Sequence, residues 1–218
     1  MRVRYSVLMF AVLAVVPAIA QHQHDPDTTV KGGGKLPAGW QARLDNDAAK
    51  LDGVVVAEDK GALTFTTGPA GIYYKPSMKG SGNYQVSGTF SQLKASAHPE
   101  AFGLFIGGTD LDKPTQRYTY FLIRQDGKFL IKSRDGSTTK PIVDWTVAAP
   151  MKDADPAKQG FKSSNQLAVR VQAETVSFLI GGTEVKSLPR SQVTTDGIAG
   201  VRINHNLNVQ VAAFDLKK

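Results

Sequence analysis

Tyr118 and Tyr120 lie two residues apart in Arg117-Tyr-Thr-Tyr-Phe-Leu-Ile-Arg-Gln-Asp-Gly-Lys-Phe-Leu-Ile-Lys-Ser-Arg134, so on a strand both rings point to one face. Arg124, Lys132 and Arg134 belong to the same stretch, and Trp145 follows it. Flat rings flanked by cationic hydrogen-bond donors are chemically matched to a sugar. Its C–H faces stack on the rings, while hydroxyls or an acidic group meet the donors. The same residues would also make a solvated sheet face whose cation–π pairs merely stabilise a hairpin.

The turn decides which side chains share a face. A two-residue turn at Asp126-Gly127 pairs Phe121 with Lys132 and Arg124 with Phe129, which mixes charge into both faces. A three-residue loop, Gln125-Asp126-Gly127 with the glycine left-handed, pairs Arg124 with Lys128 and Tyr120 with Lys132. One face then carries Thr119, Phe121, Ile123, Phe129, Ile131 and Ser133, and is core. The other carries Tyr118, Tyr120, Leu122, Arg124, Lys128, Leu130, Lys132 and Arg134. A slip of one residue destroys that separation, so the second register is expected. Trp145 either extends the aromatic platform or plugs the core, and Trp40 is expected to pack near the start of the domain.

Other chemistries find less support. Two carboxylates on one strand face would serve glycoside hydrolysis, but the four glutamates, Glu58, Glu100, Glu174 and Glu184, form no alternating array. The close acidic pairs Asp25/Asp27, Asp45/Asp47, Asp110/Asp112 and Asp153/Asp155 fall in the tail, in loops or at strand ends. Asp110 and Asp112, preceded by Gly107-Gly108, offer the oxygens calcium takes; a solvated loop is the alternative. His22, His24, Asp25 and Asp27 could chelate a divalent metal weakly. His98 and His205 have no local partner, and no serine sits in a nucleophile elbow. The chain has no cysteine, which excludes disulfides, thiolate metal sites and a cysteine nucleophile. No cofactor is required by any of these residues.

The elements that must position these residues are strands. Runs rich in Val, Ile, Phe, Tyr and Thr recur between Gly, Asp, Asn and Pro signals, over 53–58, 62–67, 71–75, 83–93 and 101–106. They continue at 117–124, 128–134, 166–172, 175–180, 198–204 and 208–215, with Gly181-Gly182 as a tight turn into Thr183. No sustained helical period appears, and 48–51 is at most a turn. The expectation is an all-β, antiparallel two-sheet sandwich or jelly roll over residues 39–218, with one long polar loop at 150–164. Gly107-Gly108 and Gly181-Gly182, which echo each other, are expected to be two similar turns.

Location is written at the start. Arg2 and Arg4 precede the apolar run 7–16, then Pro17 and Ala18-Ile19-Ala20, the pattern of a signal peptide cleaved before Gln21. The protein is therefore expected to be periplasmic or extracellular, with no membrane segment after cleavage, and residues 21–38 to be a flexible tether. Removing residues 1–20 takes away two arginines and no acids, leaving a charge of +5 from the +7 of the full chain. Those cations are scattered and locally balanced, which argues against nucleic acid and for a mild preference for acidic surfaces.

Three stretches carry a resemblance: Asn165-Gln-Leu-Ala-Val-Arg-Val171, Val176-Ser-Phe-Leu-Ile-Gly-Gly-Thr-Glu-Val185 and Gly197-Ile-Ala-Gly-Val-Arg-Ile203. They resemble concanavalin A-like lectin/glucanase domains of the laminin-G type, over roughly residues 53–215, with Gly181 where that family usually has asparagine. A weaker resemblance is to exported bacterial 3-keto-disaccharide hydrolase-like domains, whose tryptophan-rich opening and Asn-Ser-Gly segment are absent here. The resemblance implies a jelly roll and recognition of a glycan or polysaccharide without catalysis. Its alternatives are a glycoside-acting hydrolase and a cell-envelope interaction or structural domain.

Overall fold

Alternating side-chain polarity with so few helix-forming runs leaves the chain one economical solution, which is to pack strand faces against each other. The computed structural model describes residues 25–151 and 163–218. The expected signal peptide, His22, His24 and most of the expected loop 150–164 lie outside the described residues. The first strands are β1 (Gln41–Leu44), β2 (Val54–Asp59), β3 (Ala62–Thr67), β4 (Gly71–Gly80) and β5 (Tyr84–Gln92). Next come β6 (Ala101–Thr109), β7 (Arg117–Arg124), β8 (Lys128–Asp135), β9 (Thr138–Val147) and β10 (Ser163–Val171). The chain closes with β11 (Thr175–Ile180), β12 (Thr183–Pro189), β13 (Gly197–Ile203) and β14 (Asn208–Lys217). Among the described residues only two short 3-10 turns, Leu51–Gly53 and Arg190–Gln192, interrupt this pattern.

The strands form two seven-stranded antiparallel sheets, β1-β4-β13-β6-β7-β8-β9 and β12-β11-β10-β5-β14-β3-β2. This is the jelly-roll sandwich of concanavalin A-like architecture that the strand pattern implies. Between the sheets, aromatic rings from opposite layers meet. Phe65 stands 4.8 Å from Tyr73, Phe121 5.4 Å from Phe178, and Phe90 6.3 Å from Phe102, centroid to centroid. Burial of several such side chains, each contributing ~1.5–3 kcal/mol, stands in for the missing disulfides.

Most strands expected from the sequence are present within a few residues. Beyond them, β12 follows the expected Gly181-Gly182 turn, and two strands were not foreseen at all. β1 is four residues long and carries Gln41 and Arg43, which hides its alternation. β9 lies at a sheet edge, is largely exposed and contains Pro141, which an edge tolerates because the lost N–H breaks no ladder. The two Gly-Gly pairs also differ. Gly181 and Gly182 have φ of +58° and +81° and form the β11–β12 turn. Gly107, with φ +68°, instead lies inside β6 at a break in register between Ile106 and Thr109. A Cβ there would fall 2.3 Å from the Thr194 carbonyl oxygen, so the pair serves a close backbone approach rather than a turn.

The tether expected over 21–38 is, from residue 25 on, held by hydrogen bonds. The Thr28 amide donates to Asn206 Oδ1 at 2.7 Å, Asn206 Nδ2 donates to the Pro26 carbonyl at 3.0 Å, and the Gly34 amide donates to the Leu51 carbonyl at 3.0 Å. Gly33 makes this seating possible, because a Cβ at that position would lie 2.3 Å from the Asp52 carbonyl oxygen.

Gly200 in β13 is a sharp test of the packing. A Cβ there would stand 2.4 Å from Phe105 Cε1 and 2.5 Å from the Tyr73 carbonyl oxygen. Gly200→Ala is expected to destabilise the domain by ~1–3 kcal/mol in denaturant titration, as overpacking does. A variant as stable as the parent would show that β13 and Phe105 have slack.

Candidate functional site

β6 and β7 are buried at nearly every position, on both faces, although one face alone meets the second sheet. Something must therefore cover the outer face of the first sheet. The register explains what does. Gly127 is left-handed at φ +76°, and Arg124 pairs with Lys128, Tyr120 with Lys132 and Tyr118 with Arg134. The three-residue loop is the one expected, and it sends all of these side chains outward. Neighbouring strands add Ile72 and Tyr74 from β4 and Phe105 from β6. Phe105 lies 5.3 Å from Tyr118, and Tyr118 5.7 Å from Tyr120, so the outer face carries its own aromatic layer.

The two tyrosines are accordingly packed rather than open, with Tyr118 1% and Tyr120 5% exposed. Burial is also the largest influence raising both phenol pKa values. Arg202 of β13 caps them. Its Nη1 donates to the Tyr118 hydroxyl at 3.3 Å, and its guanidinium carbon lies 5.1 Å from the Tyr120 ring centroid. Asp45, the residue after β1, grips Arg202 with both oxygens, with Nη1 to Oδ1 at 2.9 Å and Nη2 to Oδ2 closer still. Arg134 approaches the same Oδ1 at 3.4 Å while its Nε donates to the Gly136 carbonyl at 2.9 Å. Burial alone would raise the Asp45 pKa. The charge and hydrogen bonds of Arg202, then Arg134 and Arg43, outweigh burial and hold it below its ordinary value.

At the other end of β7 the Arg124 guanidinium sits 4.0 Å over the half-buried Trp145 ring. Trp145 thus extends the aromatic layer on the outer face. Asp126 holds Arg124 at 2.7 Å and Lys128 at 3.6 Å. Lys132, half-buried between the two ends, has no ion pair among the described residues. The structure therefore brings Tyr118, Tyr120, Arg124, Lys132, Arg134 and Trp145 onto one sheet face. A cavity of about 410 Å³ adjoins Arg134, lined also by Arg117, Asp135, Thr138 and Lys140. Another cavity, about 570 Å³, lies elsewhere, at the β1 edge between Trp40 and Tyr74.

Carboxylates are scarce on this face. β1, β4, β13, β6 and β7 contain no Asp or Glu at all. Asp110 and Asp112 lie in the loop after β6. The Asp110 oxygens already meet Lys113 Nζ at 2.8 Å and the Thr115 hydroxyl at 3.4 Å. Among the described residues no group of three or more His, Cys, Asp or Glu side chains is placed to hold a metal.

Asp45 and Arg202 escaped the sequence reading because they lie 157 residues apart. Arg202 alone carried a signal, since it stands between the inward-facing Val201 and Ile203 and so had to point outward. His205 escaped for the same reason. Its Nε2 meets Glu100 Oε1 at 2.9 Å and its Nδ1 meets Asp27 Oδ1 at 3.4 Å, which ties the N-terminal segment to the rim.

No family model and no curated protein matches the sequence. Solved structures do. The carbohydrate-binding module CBM66 from Bacillus subtilis superposes with a TM-score of 0.60 at 10% identity, over 88% of this chain and 100% of that one. A Bacillus subtilis protein of unknown function with a galectin-like fold gives 0.56 at 12% identity, over 82% and 88%. A glycoside hydrolase family 16 endo-glucanase from Bacteroides ovatus gives 0.53 at 12% identity, over 82% and 93%. At such identities the likeness is one of fold.

The ion cluster makes a stability prediction. Asp45→Asn leaves Arg202 without its counter-charge and is expected to cost about 2–3 kcal/mol at pH 7. That is less than the ~3–5 of a fully buried pair, because Asp45 is 30% exposed. A carboxyl held below its ordinary 3.8 contributes stability that is complete above that value and lost as pH falls through the folded pKa. Thermal melts of the parent below pH 4 should therefore fall more steeply than those of Asp45→Asn. Parallel acid limbs would show that Asp45 is not the group responsible.

Proposed function

We propose that the chain is an exported, noncatalytic domain that binds a glycan or polysaccharide on the outer face of its first sheet. The observation that carries this reading is the make-up of that face, an aromatic layer topped by cations on strands nearly devoid of carboxylates. Binding a sugar needs only ring faces and donors fixed in place. Cleaving one needs two carboxylates roughly 5–9.5 Å apart, one of them free to carry a proton. Asp45 is held ionised between two arginines, the opposite of a general acid.

Trp145 with Arg124, then Lys132, then Arg134 form the row that meets the ligand. Tyr118 and Tyr120 lie beneath as the layer that keeps the arginines level. The fold likeness to a carbohydrate-binding module supports this role, and the likeness to an endo-glucanase is why an assay for cleavage belongs in the test. Recognition of this kind proceeds without a cofactor; calcium at Asp110 and Asp112 would have to displace Lys113.

The test is a glycan array probed with residues 21–218, with calcium and with chelator. Binding should be indifferent to chelator and fall about tenfold or more in a folded Trp145→Ala variant, the loss of a ring that a sugar stacks on. Release of reducing ends from any bound polysaccharide would replace this reading with the hydrolase. Export is checked by the mass of the chain recovered outside the cytoplasm, which should begin at Gln21.

A further inference from the structure

The charge on the outer face is not balanced, and the imbalance is built into its hydrogen-bond pattern. Five cations, Arg124, Lys128, Lys132, Arg134 and Arg202, share two carboxylates. Asp45 serves Arg202 and Arg134 together, and Asp126 serves Arg124 and Lys128 together. Lys132 has no ion pair among the described residues. Each acid thus answers for two cations, and the strands of the face supply no other acid than the exposed Asp135 and Asp144. Asp135 is taken by Arg117 at 2.9 Å.

The middle of the second sheet carries no such row. Its outward positions Ser87 and Thr89 on β5, Gln210 on β14 and Thr64 on β3 are uncharged, and Arg170 on β10 donates to Gln85 Oε1 at 3.0 Å. Lys128, Lys132 and Arg134 are outward positions of one strand, so they form a line spanning about 20 Å at ~3.4 Å per residue. A line of half-buried cations beside an aromatic ring is poorly matched to a neutral polymer, which would desolvate the Lys132 ammonium without giving it a counter-charge.

Resting on the glycan reading of this face, we propose that its ligand is an acidic polysaccharide, whose anionic groups pair with Lys128, Lys132 and Arg134 while a sugar ring stacks on Trp145. The ligand's carboxylates or sulfates would supply the charge that Asp45 and Asp126 leave unanswered. Such binding weakens as salt screens it, whereas stacking of a neutral sugar is nearly indifferent to salt.

The experiment is calorimetric titration of residues 21–218 with polygalacturonate, dextran sulfate, neutral dextran, levan and inorganic polyphosphate, at low and high salt. Binding is expected for an acidic polysaccharide, tighter than for either neutral polymer and reduced by salt. Polygalacturonate or dextran sulfate as the tighter ligand assigns carboxylate or sulfate. Lys128→Ala/Lys132→Ala should weaken it about tenfold, the loss of two partly exposed ion pairs. Lys186→Ala/Lys217→Ala, on the other sheet, should leave it unchanged. Salt-insensitive binding of dextran or levan would overturn the acidic ligand and leave the glycan site standing. Polyphosphate binding as tight as the polysaccharide would overturn it in favour of unspecific charge. No binding to any polymer would remove both.

Discussion

A sheet whose middle strands are apolar on both sides needs two covers, and that constraint organises this molecule. The second sheet is one cover. The other is made on the spot by side chains of the first sheet itself, Ile72, Tyr74, Phe105, Tyr118, Tyr120 and Leu122, closed over by Arg202. An arginine in that position is costly to desolvate unless its charge is met, and Asp45 meets it with both oxygens from the end of the edge strand β1, across β4. The ion pair is thus what lets an aromatic layer, rather than a third layer of secondary structure, finish the sheet.

From this follows the character of the surface. The aromatic rings set the level at which cations can lie, and the acids that hold them are few and shared. The face is therefore at once apolar underneath and positive on top. This combination differs from the second sheet, whose outward row of Ser, Thr and Gln needs no cover and makes none. The same fold thus has two outer faces of unlike make-up.

How much of this was legible in the sequence depends on separation along the chain. The β7–β8 hairpin was readable to the residue, because Gly127 and the sharp division of Thr119, Phe121 and Ile123 from Tyr118, Tyr120 and Arg124 admit one register. The fold class was readable from the repeated short apolar runs. The cover over Tyr118 was not readable, because β13, which brings Arg202, comes to lie between β4 and β6 only through pairings between distant segments. Tyrosines that read as exposed platforms in a lone hairpin become floor when Phe105 and Arg202 arrive beside them. Edge strands were missed for a related reason. β9 has no second neighbour to impose a polarity pattern on it, so its sequence keeps none.

The Asp45 grip also changes how the sandwich can come apart. β1 is only four residues long and lies at a sheet edge, the place where amide hydrogens normally exchange first as a strand frays. Yet the residue that ends it is bonded past β4 to β13, with a further tie to β8. Peeling β1 away would strip a buried guanidinium of its counter-ion, so fraying from that side is joined to opening of the whole outer layer. The weakest-looking strand is in this way a latch.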